Sequence, residues 1–188
     1  MPLNLPNLLT WLRILLIPLV IGVFYLPGTW LNSQEANLLA TLFFVVAAFT
    51  DWFDGYLARR LNQTSAFGAF LDPVADKLMV AAALIVLVDL ERVSPGMALI
   101  IIGREIAISA LREWMAKAGK SGSVAVSFIG KLKTTFQMIA IALLLYWEPM
   151  AGLPIAALGT LLISLAALLT LISMFYYLRM AAKALSEP

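Results

Sequence analysis

Four aspartates have the residue type and spacing to do chemistry. Asp51 and Asp54 are spaced i, i+3, and Asp72 and Asp76 are spaced i, i+4, so each pair lies on one face of a helix. Both pairs border stretches apolar enough to lie in lipid, where an acid near the hydrocarbon centre costs about 2.5–3.5 kcal/mol. Four acids so close together require something cationic between them. Converging carboxylates suit a pair of divalent cations, and the chain contains neither histidine nor cysteine to compete as ligand. The ion is then a hard one, Mg²⁺ or Mn²⁺. Gly55 and Gly68 flank the acids and, lacking side chains, let a planar or phosphate-bearing ligand approach the backbone. With imidazole excluded, a general base at this site is a carboxylate. Two alternatives remain open from the acids alone: structural pairing with Arg59, Arg60 and Lys77, and a proton or cation pathway through the membrane.

The elements that must position these residues are legible as apolar runs. The 188-residue chain is 62% apolar with mean hydropathy +0.94, where a soluble domain has roughly 45–50%. We read residues 1–188 as a single all-α membrane domain with spans at 8–26, 36–57, 67–88, 93–115, 124–146 and 151–178. A short amphipathic helix over 3–12 is expected to lie along the interface and lead into the first span. The start has no basic n-region or small-residue cleavage site, so it reads as retained. Pro73 suits the first turn of the third helix, with Asp72 as its cap. The short connector after Arg59 makes the second and third helices antiparallel neighbours.

Twelve of the thirteen Lys and Arg residues fall on one side of this topology, and Arg92 alone falls on the other, among Glu35, Asp89, Glu91 and Glu148. The positive-inside rule makes the twelve-base side cytoplasmic, with both termini and all four aspartates there. The expected location is a membrane bordering the cytoplasm, which the resemblance described below makes the bacterial cytoplasmic membrane. No nucleic-acid partner is expected.

A second polar cluster follows. Arg104, Ile108 and Arg112 share one helical face, and Glu105, Ser109 and Glu113 share the adjacent one. Gly130, Lys133, Thr134 and Gln137 form a stripe in the next helix, with Lys131 nearby. Arg104 lies deep in its run, and pairing with Glu105 or Glu113 is the plain structural explanation. The bases nevertheless outnumber these acids, and a positive surplus suits a phosphorylated, anionic ligand. The sixth run is apolar and offers no residue of this kind.

Asp51-x-x-Asp54-Gly55-x-x-Ala58-Arg59, eight residues, then Gly68-x-x-x-Asp72-x-x-x-Asp76 resembles the signature of the CDP-alcohol phosphotransferase family. The resemblance implies six transmembrane helices around a polar cavity open to the cytoplasm, two divalent ions held by Asp51, Asp54, Asp72 and Asp76, and Asp76 as general base. It implies donor binding by Asn7, Thr10, Arg13, Asp51, Asp54, Gly55, Ala58, Arg59 and Gly68. The opening Pro6-Asn7-x-Leu-Thr10-x-x-Arg13, and Arg104-Glu105 through Gln137, resemble the branch of that family that forms phosphatidylglycerophosphate in bacteria. For that branch the donor is CDP-diacylglycerol, the acceptor sn-glycerol 3-phosphate and the enzyme a homodimer embedded in membrane lipid. Acceptor-phosphate binding then falls to Arg104, Ser109, Arg112, Lys131 and Lys133. Inositol phosphate or phosphatidylglycerol as acceptor are alternatives with the same chemistry.

Overall fold

The computed structural model describes residues 5–61, 66–117, 119 and 128–186; at 5–7, 52, 54–61, 66, 67, 69, 128, 129, 131 and 184–186 it describes the backbone alone. The apolar runs become helices, since backbone removed from water must satisfy its polar groups within the segment. They are α1 (Leu5–Gly22), continued by a 3-10 turn (Val23–Tyr25), then α2 (Ser33–Leu61), α3 (Ala66–Asp89), α4 (Pro95–Lys117), α5 (Phe128–Tyr146) and α6 (Ile155–Ser186). No strand occurs among the described residues. The fold is all-α, as expected. Three stretches, Leu8–Tyr25, Ser33–Asp51 and Ile155–Lys183, are long and apolar enough to cross a membrane.

Two local expectations fail. Over the described residues no separate interfacial helix precedes the first span: α1 is continuous from Leu5 to Gly22. Its two awkward residues explain why it need not break. Arg13 is buried against an acid, and Pro18, inside the helix, lies on its exposed face, clear of the core packing. Nor does α3 start at Pro73. It starts at Ala66, which places Pro73 within the helix on an exposed face and gives Asp72 a role other than capping.

α1 packs extensively on both α2 and α3, whereas α2 and α3 touch each other much less. The expected neighbours are therefore bridged by α1. α2 also packs on α5, α4 on both α3 and α6, and α5 most extensively on α6. Small residues permit the closest approach: a Cβ on Gly159 would lie 2.8 Å from Leu144 Cγ.

The bundle is divided along its length. Its main apolar core is built from Leu16 and Val20 of α1, Ala40, Phe44 and Ala47 of α2, Met79 to Leu87 of α3, Ile101 of α4, Ile141 to Leu145 of α5 and Ile163 of α6. All of these lie toward one end. Of the buried polar side chains, Asn37 lies with the apolar end, and Thr10, Arg13, Arg104, Lys133, Gln137, Thr170 and Ser173 lie toward the other.

The apolar end is closed by side chains that satisfy helix termini. Asn32 and Glu35 form a reciprocal capping box at the start of α2: Glu35 N donates to Asn32 Oδ1 at 2.9 Å, and Asn32 N to Glu35 Oε2 at 2.8 Å. Arg92 Nη1 donates to the carbonyls of Leu144 and Leu145 at the end of α5 (2.9 and 3.0 Å), and Nη2 donates to Asn37 Oδ1 at 2.8 Å. Its guanidinium also stacks 4.9 Å from the Trp147 ring centroid. The one base on the acidic side thus ties α2, α5 and the α3–α4 turn together, and its charge complements the negative end of the α5 dipole.

Arg92→Ala should therefore lower stability by about 2 kcal/mol, a fall in Tm of roughly 4–8 °C for a chain of this size. Arg92→Lys should recover only part of this, because an ammonium cannot reproduce the fork. Thermal unfolding of the detergent-solubilised protein measures both, and an unchanged Tm for the alanine variant would disprove the tie.

Candidate active site

Two residues of α1, one turn apart, reach the acids. Arg13 is 1% exposed, and its Nη1 lies 2.8 Å from Asp51 Oδ1. The Thr10 hydroxyl, equally buried, donates to Asp72 Oδ1. Thr10 and Arg13, expected to bind donor, contact the acids, one each from α2 and α3. This is why α1 sits between those helices.

Asp51 and Asp76 line one cleft of ≈ 530 Å³ together with Ala48, Gly130, Thr134 and Met138. Asp72 and Asp76 are both close enough to Asp51 to interact with it electrostatically, and Arg13, Lys77 and Glu105 act on Asp76. Gly68 is buried. The side chains of Asn7, Asp54, Ala58, Arg59 and Lys131, and the surroundings of Gly55, lie outside the described residues. Among the described residues no three carboxylates converge; the structure brings Asp51 and Asp76 to the cleft and turns Asp72 toward Thr10. The donor set is oxygen only, and Asp51 already accepts a cationic partner. That combination fits a hard divalent ion.

Beyond the cleft the basic cluster is organised around Glu105. Arg104 Nη1 lies 3.0 Å from Glu105 Oε1, and Lys133 Nζ, 1% exposed, bonds to the same oxygen. The pairing of Arg104 with Glu105 expected from the sequence is present. Glu113, the other candidate, instead pairs with Lys117 at 2.8 Å on the surface. Arg104 Nη2 also donates to Ser173 Oγ at 3.2 Å. Arg104 and Arg112 both lie over the ring of Tyr177, with Cζ to centroid distances of 5.5 and 5.3 Å. Arg104, Arg112 and Lys133 are thus gathered in the polar half. Ser109, expected beside them, donates its hydroxyl to the Glu105 carbonyl at 2.7 Å within its own helix.

Sequence reading missed the sixth helix. Thr170, Ser173 and Tyr177 are spaced i, i+3, i+7 and are all essentially buried, so α6 presents a polar stripe to α4. The signal was there: three polar-tipped residues at helical spacing in an otherwise apolar run. It is faint because a hydroxyl in a membrane helix usually bonds its own backbone, as Ser173 does to the Thr170 carbonyl at 2.9 Å.

The chain is 53% identical over 195 aligned positions, spanning both chains completely, to a CDP-diacylglycerol–glycerol-3-phosphate 3-phosphatidyltransferase of Pectobacterium atrosepticum. It is 53% identical to the protein of that name from Escherichia coli and 52% to the one from Salmonella choleraesuis, in each case over 185 positions and 96% of both chains. Residues 3–178 match the family described as CDP-alcohol phosphatidyltransferase. With the aspartate spacing intact and nearly its whole length matched, the chain belongs to the CDP-alcohol phosphatidyltransferase family.

Proposed function

We propose that this chain transfers the phosphatidyl group of CDP-diacylglycerol to the primary hydroxyl of sn-glycerol 3-phosphate, releasing CMP. The observation that carries this reading is the adjacency of two opposite sites: an acid-lined cleft on α2 and α3, and buried bases on α4 and α5. Full-length identity to relatives named for that reaction supports it.

Asp51, Asp54, Asp72 and Asp76 hold two divalent ions, Mg²⁺ or Mn²⁺. Such ions neutralise the donor pyrophosphate and the charge developing on it. The acceptor phosphate is held by Arg104, Arg112 and Lys133, with Lys131 assigned beside them from its position in sequence. That orientation leaves the acceptor's hydroxyl end toward the cleft. Asp76 takes the hydroxyl proton as its oxygen attacks the phosphorus bearing the diacylglycerol. The bond between that phosphorus and the bridging oxygen breaks, and CMP leaves with the electron pair. Asn7, Gly55, Ala58, Arg59 and Gly68 line the donor nucleotide's path, while Thr10 and Arg13 fix the acids that face it. All six helices cross the membrane. α3 and α4 do so despite Asp72, Asp76, Lys77, Arg104, Glu105 and Arg112, because these residues serve the bundle's polar half. That half faces the cytoplasm with both termini, and the chain works as a homodimer in the bacterial inner membrane.

Three outcomes test this reading. CMP release should be lost with a chelator and restored by Mg²⁺ or Mn²⁺, and Asp51→Asn, Asp54→Asn and Asp72→Asn should each reduce it by orders of magnitude without unfolding the protein. Asp76→Asn should slow transfer but spare donor binding. Near-normal turnover in two of the ligand variants would rule out the metal assignment.

Arg13→Met removes the positive partner of Asp51, so its Tm should fall in chelator by an amount equivalent to roughly 2–3 kcal/mol, discounted because Asp51 is 44% exposed. Added Mg²⁺ should raise the Tm of this variant more than that of the wild type, since the ion then supplies the missing charge. Equal gains would show that Arg13 and the ion do not share the acid.

With a panel of acceptors, glycerol 3-phosphate should far outperform glycerol, inositol phosphate and serine. Lys133→Met should raise its KM roughly tenfold or more while the donor KM moves little. Better turnover with inositol phosphate or serine would refute the choice of acceptor.

A further inference from the structure

The acceptor-binding bases on α4 are held from outside their own helix as well as from within it. Arg104 and Arg112 are two turns apart, about 12 Å along the axis, yet both guanidiniums lie over one aromatic ring carried by α6. The Cζ atoms are 5.5 and 5.3 Å from the Tyr177 centroid, within the reach of a cation–π contact. The ring itself is 1% exposed and packs in a small apolar cluster with Ile108, Met115 and Ala181. Ile108 lies midway between the two arginines on the same face of α4, so the ring is wedged at the level where both side chains can reach it. In so dry a setting the ring's attraction for cations is at its strongest. One turn earlier on α6, Ser173 accepts from Arg104 Nη2 at 3.2 Å. The arginines nonetheless keep donor capacity: among the described residues the buried Nε of each makes no hydrogen bond. Two guanidiniums thus share one ring face while the in-plane Nε of each stays unused, capacity an incoming phosphate can draw on.

We propose that Tyr177 is the positioning residue of the acceptor site, its ring setting Arg104 and Arg112 at the separation that receives the acceptor phosphate, a role that rests on the acceptor assignment of those arginines. The sixth helix is then a working wall of the site, and specificity for a phosphorylated acceptor depends on the α4–α6 seam.

The test compares Tyr177→Phe with Tyr177→Leu in the full-length protein, measuring KM separately for glycerol 3-phosphate and for CDP-diacylglycerol, with Tm recorded alongside. The phenylalanine variant keeps the ring face and should hold the acceptor KM within about twofold. The leucine variant should raise it roughly fivefold to tenfold with the donor KM and kcat little changed. If leucine does not yield folded protein, Tyr177→Met fills the space without a ring and carries the same comparison. Arg104→Lys and Arg112→Lys are assayed in parallel. If they raise the acceptor KM and the ringless variants do not, Tyr177 has no positioning role. A loss that moves both KM values equally, or one that phenylalanine shares, also overturns it. If the lysine variants leave the acceptor KM unchanged, the acceptor assignment fails and the role of Tyr177 with it.

Discussion

A carboxylate placed among apolar helices has to be given a positive or hydrogen-bonding partner, and here α1 supplies one for each of two helices. Arg13 pairs with Asp51 of α2, and Thr10 donates to Asp72 of α3, from positions one turn apart and almost wholly buried. Removing Arg13 would leave the Asp51 charge uncompensated at a cost of roughly 2–3 kcal/mol, less than for a fully buried pair because Asp51 is 44% exposed. The contacts between α1 and the two acid-bearing helices thus fix the arrangement of the first half of the bundle. They also determine what the acids can do next. Asp51 and Asp76 are held at the cleft surface with free coordination capacity, and Asp72 is oriented from behind.

The division along the helix axis follows from the same constraint. Lipid offers no hydrophobic driving force between helices, so packing must come from close contact of small and complementary side chains. That contact is concentrated in the apolar end, around Ala40, Ala47, Ala83, Leu84, Ala140 and Leu144, all at most 1% exposed. Gly159 brings α5 and α6 together there, and Arg92 with the Asn32–Glu35 box closes the termini. A tightly packed half lets the other half be polar and carry a cleft. The main apolar core is stitched from all six helices, so displacement of any one of them would move residues at the site.

The acid spacing, the number of helices and the pairing of Arg104 with Glu105 could be read from the sequence because each depends on local periodicity. What could not be read depends on which helix lies beside which. Asp72 looked like a cap for a helix with Pro73 in its first turn, since proline favours first turns; α3 instead runs from Ala66, and Asp72 accepts from Thr10, which lies 62 positions away in sequence. Residues 3–12 were expected to form a short interfacial helix leading into the first span, and Arg13, just beyond them, is costly in lipid. Its partner on α2 removes that cost, and the helix runs on. Thr170, Ser173 and Tyr177 went unread for another reason: hydropathy averages over α6 conceal a stripe of three residues.

Glu105 shows how the two halves of the chemistry are kept apart. On the proposed reading the donor pyrophosphate belongs with the acids and the acceptor phosphate with the bases, two anionic ligands on adjoining helices. Without an intervening negative charge, Lys133 and Arg104 would attract the donor phosphates as readily as the acceptor's. Glu105 accepts from both bases through one oxygen and repels Asp76 across the cleft, so it stands as a fixed anion between the two sites. It partly neutralises the bases nearest the cleft and leaves Arg112, beyond it on the Tyr177 ring, with no salt bridge to an acid among the described residues. The positive surplus therefore grows away from the acids. A phosphorylated alcohol entering this gradient is drawn phosphate-first toward the arginines, which turns its hydroxyl toward Asp76. A neutral alcohol feels no such orientation and leaves buried guanidinium donors unmet, at a cost of about 1.5–3 kcal/mol for each charged hydrogen bond forgone. Selection of the acceptor and alignment of its reacting oxygen are then one electrostatic effect.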